Sequence, residues 1–318
     1  MTAFLRSRSL LATASIVTLL LTVPSSAQAK KKATVGPDMT LIEAGRGKKT
    51  PLRYTYKKGA RTTWKVRVES NMKLSGRSMP VPQVLFESDL NVVAVDSKGT
   101  ATCKFALSEA KIEALGNVPA KTLEGINAKL APLKKVTGKA TFDSRGRLVS
   151  YKRDPNKAVS EKGQLALLLA SFDQQFRQAT VPLPKDPVGK GARWKVTHKV
   201  VSNDITLNQE NVYSLLERDG RKGTHTLAIT IRQSAPAQVV KLPGVPPNME
   251  TRLLSADGEG KSKVTIMPDR VGAHGTSSVE LALAIEMKMG KQSGKAALKL
   301  NTKVALLAGI KSAPKKKK

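Results

Sequence analysis

The chain has one cysteine, Cys103, in 318 residues, so no internal disulfide is open to it. Its three histidines, at 198, 225 and 274, are not spaced as a metal pair, and a single thiolate cannot complete a zinc or copper site. Aromatic residues make up only 4%, too few for the stacking platforms of single-strand nucleic-acid or glycan binders. That leaves nucleic acid only a salt-sensitive, unspecific attraction to phosphate. Acidic residues are scarce as well, 24 against 55 Lys and Arg, for a formal charge of +31. Beyond the first residues no apolar run approaches the roughly 20 residues of a spanning helix. A chain with no staples must bury a real core, and its length suits one large or two ordinary domains.

The amino terminus reads as an export signal. Arg6 and Arg8 precede the apolar run "LLATASIVTLLLTV", and Pro24 introduces "SSAQA". This pattern predicts a secretory leader over 1–29, cleaved after Ala29, and an exported protein of the periplasm or medium. No cysteine stands there to take a lipid, and the two arginines are not adjacent as a twin-arginine signal requires. A basic linker is expected over 30–50 and a basic disordered tail over 311–318. Lys30, Lys31, Lys32, Lys315, Lys316, Lys317 and Lys318 are the expected contacts of these tails with a polyanion. Without leader and tails about +21 remains, so the body also attracts anionic lipid or acidic polymer.

Two stretches resemble each other: "KKGARTTWKVRVESN" at 57–71 and "GKGARWKVTHKVVSN" at 189–203. Trp64, Val66 and Val68 alternate with polar residues, as do Trp194 and Val196, which is the period of a half-buried strand. Gly59 and Gly191 supply the positive φ of a tight turn before each, so "YTYKKGA" is expected to be the first arm of a hairpin. The likeness continues: "DSKGTATCKFAL" at 96–107 returns as "DGRKGTHTLAITI" at 219–231. The offset from Gly99 to Gly223, 124 residues, pairs Cys103 with Leu227, Phe105 with Ile229 and Lys139 with Lys263. One register for so many matches predicts two related β units, 51–157 and 181–310.

Between the units, at 158–180, Leu165, Leu168, Leu169, Phe172 and Phe176 share one helical face, and "VPLPKDPVG" ends the helix. A second short helix is expected where Leu123, Ile126, Leu130 and Leu133 keep helical spacing. In the second unit the prolines of "VVKLPGVPPNMETRLL" favour an extended loop and then a brief helix. A long terminal hairpin carries Val279 to Met289 and Leu298 to Leu306 on its apolar face. The fold class is thus mainly β: two related antiparallel units packed with one or two amphipathic helices.

"LPKDPVGKGARWKV" and "VTGKATFDSRGRLVSYK" resemble a group of uncharacterised exported bacterial proteins. In these, an LP, P-V-G, G, W cluster opens the second half and a G-x-A-x-F-D-x-x-G-x-L/V strand closes the first. The resemblance implies a β-rich envelope protein and carries over no catalytic residue. Element order is also similar to lipoprotein carriers with a curved sheet around helices, an analogy of fold alone.

Motifs of catalysis fail on inspection. Cys103 shares a strand face with Ala101, Phe105 and Leu107, and its counterpart is Leu227, which marks a packing position. Ser70 and Lys73 match S-x-x-K, but strand alternation throws them to opposite faces, and the companion motifs are missing. "AGRGKKT" lacks the first glycine and the hydroxyl of a phosphate loop. "ADGEG" reads as a plain turn, and "GAHG" places His274 in another. No nucleophile with a base, cofactor or metal ligand is nominated, so a hydrolase ranks last. The leading expectation is a non-enzymatic envelope module whose basic surface meets anionic components. The alternative is a carrier of an apolar ligand lined by Leu165, Leu169, Phe172, Phe176, Met287 and Met289, with Leu242 to Pro247 as a lid.

Overall fold

The computed structural model describes residues 38–310 except 116, 156–163, 203–204, 241–248 and 291. The expected leader, both lysine tails and the proline-rich lid therefore lie outside the described residues. None of the described helices is long and apolar enough to cross a membrane.

The first half contains β1 (Asp38–Glu43), β2 (Arg46–Thr50), β3 (Arg61–Leu74), β4 (Arg77–Met79), β5 (Pro82–Val95) and β6 (Ala101–Leu115). After α1 (Ala120–Ala128) and a 3₁₀ turn (Ala131–Lys135) come β7 (Thr137–Phe142), β8 (Leu148–Arg153) and α2 (Gln164–Arg177). The second half has β9 (Val188–Lys190), β10 (Arg193–Ser202), β11 (Ile205–Asp219), β12 (Thr224–Ala235) and β13 (Gln238–Val240). It closes with β14 (Met249–Ile266), β15 (Ala273–Met289) and β16 (Gln292–Ile310).

The protein is mainly β, and both halves lie in one antiparallel sheet of 14 strands. Its path runs β1, β10, β11, β12, β14, β15, β16, β3, β5, β6, β7, β8, with β4 beside β3 and β13 beside β14. The halves join where β16 pairs with β3, Val304 opposite Val68 and Leu300 opposite Met72. Among the described residues, β2 and β9 form a separate pair.

The offset of 124 recurs in the ladders. Cys103 faces Ala140 and Leu227 faces Val264; Thr102 faces Thr141 and Thr226 faces Thr265. Both KGAR turns close alike. Gly59 donates to Val92 and Val92 to Ala60, while Gly191 donates to Leu215 and Leu215 to Ala192. Gly59 and Gly191 have φ of 84° and 77°, which favours glycine there. The extra pair Thr62 and Thr63 sets Trp64 two residues farther along its strand than Trp194, on the same face.

Alternation decides the core. Trp64, Val66 and Val68 on β3, and Cys103, Phe105 and Leu107 on β6, are buried. Over this face lies α2. Phe176 meets the rings of Trp64, Phe105, Phe142 and Tyr151, and Phe172 those of Phe86 and Phe105. Tyr151 donates to Asp173 at 2.5 Å and Arg153 bridges the same carboxylate at 3.0 Å, fixing α2 to β8. The apolar face of the terminal hairpin is covered: Leu281, Leu283, Ile285, Leu298 and Leu300 are buried in a second cluster.

Several local expectations differ from the structure. Residues 38–50, taken as linker, form β1 and β2, because Met39 and Leu41 alternate onto the core and Arg218 holds Thr50. Residues 54–56 are no hairpin arm. Tyr54 and Tyr56 are buried and stacked, while the chain bonds to loops: Tyr54 N–H to Ser144 and Thr55 N–H to Pro268. The predicted first-unit helix breaks after Ala128, and Leu130 and Leu133 are buried in the turn around Pro132. "METRLL" opens β14 as strand, Thr251 and Leu253 inward, since β13 and β15 flank it. "ADGEG" is strand too, within β14, and Ala273, His274 and Gly275 of "GAHG" open β15.

Candidate functional site

The sheet has an apolar face, carrying the core, and a polar face. Two troughs cross the polar face at right angles to the strands. The larger, about 920 Å³, crosses β10, β11, β12 and β14. One wall is Thr197, Glu210, Arg232 and Glu259, mutually opposite in register; the other is Lys199, Asn208, Ser234 and Asp257. Between them runs the row His198, Gln209, Gln233 and Gly258, positions of core parity that also line the trough.

Gly258 and Gly260 explain how ADGEG stays strand. A Cβ on Gly258 would lie 2.9 Å from Leu281 Cδ1, and one on Gly260 would lie 2.7 Å from Ser278 O. Glycine here lets neighbouring strands approach, not turn.

The smaller trough, about 520 Å³, crosses β14, β15, β16 and β3. One wall is Lys261, Ser278, Lys303 and Glu69; the other is Lys263, Thr276, Ala305 and Arg67. The troughs meet on β14, residues 257–259 serving one and 261–263 the other. Such a stepped valley follows the diagonal of a twisted sheet.

The electrostatics of the smaller trough are lopsided. Arg67 is held bidentately by Glu113, at 2.6 and 3.2 Å, a hydrogen bond that lowers the pKa of Glu113 and raises that of Arg67. Lys261, Lys263 and Lys303 are exposed and form no ion pair among the described residues. Three unspent ammonium groups thus converge on a valley with hydroxyl side chains in its wall. The larger trough carries both signs. Lys195 reaches Glu210 at 3.2 Å, outside it.

The sequence-predicted residues lie elsewhere. Leu169, Phe172 and Phe176 are buried against protein side chains, Leu165 packs on the same core, and Met287 and Met289 are half-buried. None lines either trough. Burial pushes the Cys103 thiol up to about 12. His198 and His225 have core parity, and burial lowers the pKa of each; His274 is exposed on β15. Ser70 bonds Thr302 at 2.7 Å on the core face, away from Lys73. Sequence reasoning missed these lysines; the alternation in "GEGKSKV" could have set two of them on one strand face, but only the register brings Lys303 beside them. No protein-family model matches the chain, and no curated protein matches it.

Proposed function

We propose that this is an exported, non-enzymatic envelope protein that binds a linear anionic polymer through the polar face of its sheet. The observation that carries the reading is the trough of Lys261, Lys263 and Lys303. Lys261 and Lys263 project from one strand about 7 Å apart, a spacing that meets successive charges on an extended chain. Lys303, two strands over, adds a third contact. Long side chains in a shallow valley give charge attraction with little shape selectivity, so binding is salt-dependent and tolerant of sequence or sugar identity. Lysine tails at both ends of the chain add to the same field.

The test is a titration of fluorescent long-chain polyphosphate with the purified protein at low and physiological salt. Lys261→Glu, Lys263→Glu and Lys303→Glu together are expected to weaken binding by about tenfold or more and to flatten the salt dependence. Unchanged binding by that variant would assign the attraction to the tails or the general field and defeat the reading. Anionic vesicles in a parallel titration distinguish a bilayer surface from a polymer chain.

A further inference from the structure

The path through the sheet repeats a phrase. From one edge it reads β1, β10, β11, β12, β14, β15; from the middle it reads β16, β3, β5, β6, β7, β8. Each series opens with a strand antiparallel to the Trp strand beside it. The first series ends on β15, whose far side is paired by β16. The second ends on β8, the edge of the described sheet, and the opposite edge is β1. In the pattern of the sheet, β8 is a β15 without its β16, and β1 is a β16 without its β15.

We propose that β8 of one copy pairs with β1 of a second copy, so that molecules add head to tail as the two halves join within one chain. The contact is heterologous, between two different edges, and so stays open to further addition.

Register and charge argue for that occupant. Lys152 stands opposite Lys139 as Thr276 stands opposite Lys263. Thr276 faces Ala305, which faces Arg67, three residues beyond Trp64. Three residues beyond Trp194 is Thr197, which faces Asp38. Copied between molecules, the internal junction sets Lys152 opposite Asp38 of the next copy.

The two edges have equal length and opposite charge: β1 carries Asp38 and Glu43, β8 carries Lys152 and Arg153, with Arg153 already held by Asp173. Behind Lys152 stand Lys139 and Lys104, directly opposed on neighbouring strands, exposed and without ion pairs among the described residues. Like charges so placed oppose the fold. Joining the edges puts this row in line with Asp38, Thr197 and Glu210 of the next copy.

The test is sedimentation velocity of the purified chain across a concentration series at low salt. The expected result is a mass that rises with concentration and falls as salt is added. Lys152→Glu and Asp38→Lys are each expected to weaken self-association by about tenfold. Mixed, the two variants regain growth as alternating copies, because one then carries acidic and the other basic groups at both edges and every junction between them is complementary; the double variant regains growth as well. Circular dichroism and thermal midpoints check that each variant is folded. A wild-type chain that stays monomeric throughout overturns the proposal, and would make Lys152 a guard against edge pairing. A closed dimer indifferent to both substitutions overturns it equally.

Discussion

The two tryptophans occupy like places with unlike bonding. Trp194 donates its indole N–H to Pro182 O at 2.9 Å and stacks on Tyr213, with ring planes 7° apart. Trp64 meets Phe176 edge-on, and its buried Nε1 has no hydrogen-bond partner among the described residues. Removing a bonded donor leaves a carbonyl unsatisfied, whereas removing an orphan donor relieves a desolvation cost. Trp194→Phe is therefore expected to destabilise the fold by about 1 kcal/mol more than Trp64→Phe. Urea midpoints read by circular dichroism check this, and equal losses would show that packing alone decides both sites. The burial of both rings was legible from alternation. Their difference in bonding was not, since Pro182 reaches Trp194 through a loop.

Among the elements, α2 is the one that the core of the first half cannot spare. Its Phe176 touches four rings of the sheet, so Phe176→Ala opens a cavity that stiff β-strands cannot close. The expected loss is about 3–5 kcal/mol. Met289→Ala, at a half-buried end of β15, is expected to cost on the order of 1 kcal/mol. Urea denaturation of both variants measures the contrast, and comparable losses would mean that α2 is not the keystone of this core. The helix was readable because Leu165, Leu169, Phe172 and Phe176 recur at helical spacing. The start of β14 was not. "METRLL" suits either period over so few residues, and flanking strands choose the extended form by supplying ladder partners.

At the scale of the molecule, the β16·β3 ladder makes two halves one sheet. It runs from Leu298 opposite Leu74 to Ile310 opposite Thr62, and breaking it would expose the edges of both halves. Unfolding is expected to be a single cooperative transition. Each half holds one tryptophan, so Trp64→Phe leaves a reporter in the second half and Trp194→Phe one in the first. Referred to its own circular dichroism, each fluorescence transition should coincide; a fluorescence step apart from the backbone signal would show the halves unfolding separately.

The sequence by itself determined the β class, the inward residues of most strands, the main helix and the offset of 124 that recurs in the strand registers. These follow from local sterics and the two-residue period, which depend on neighbours in the chain. Tertiary structure alone decided which strands lie side by side, and hence where charges gather. Parity assigns a lysine to a face but names no neighbour across the ladder. Lys261 and Lys303 become neighbours of one trough, and Lys104, Lys139 and Lys152 one row, only through the register in which the hydrogen bonds between strands are set.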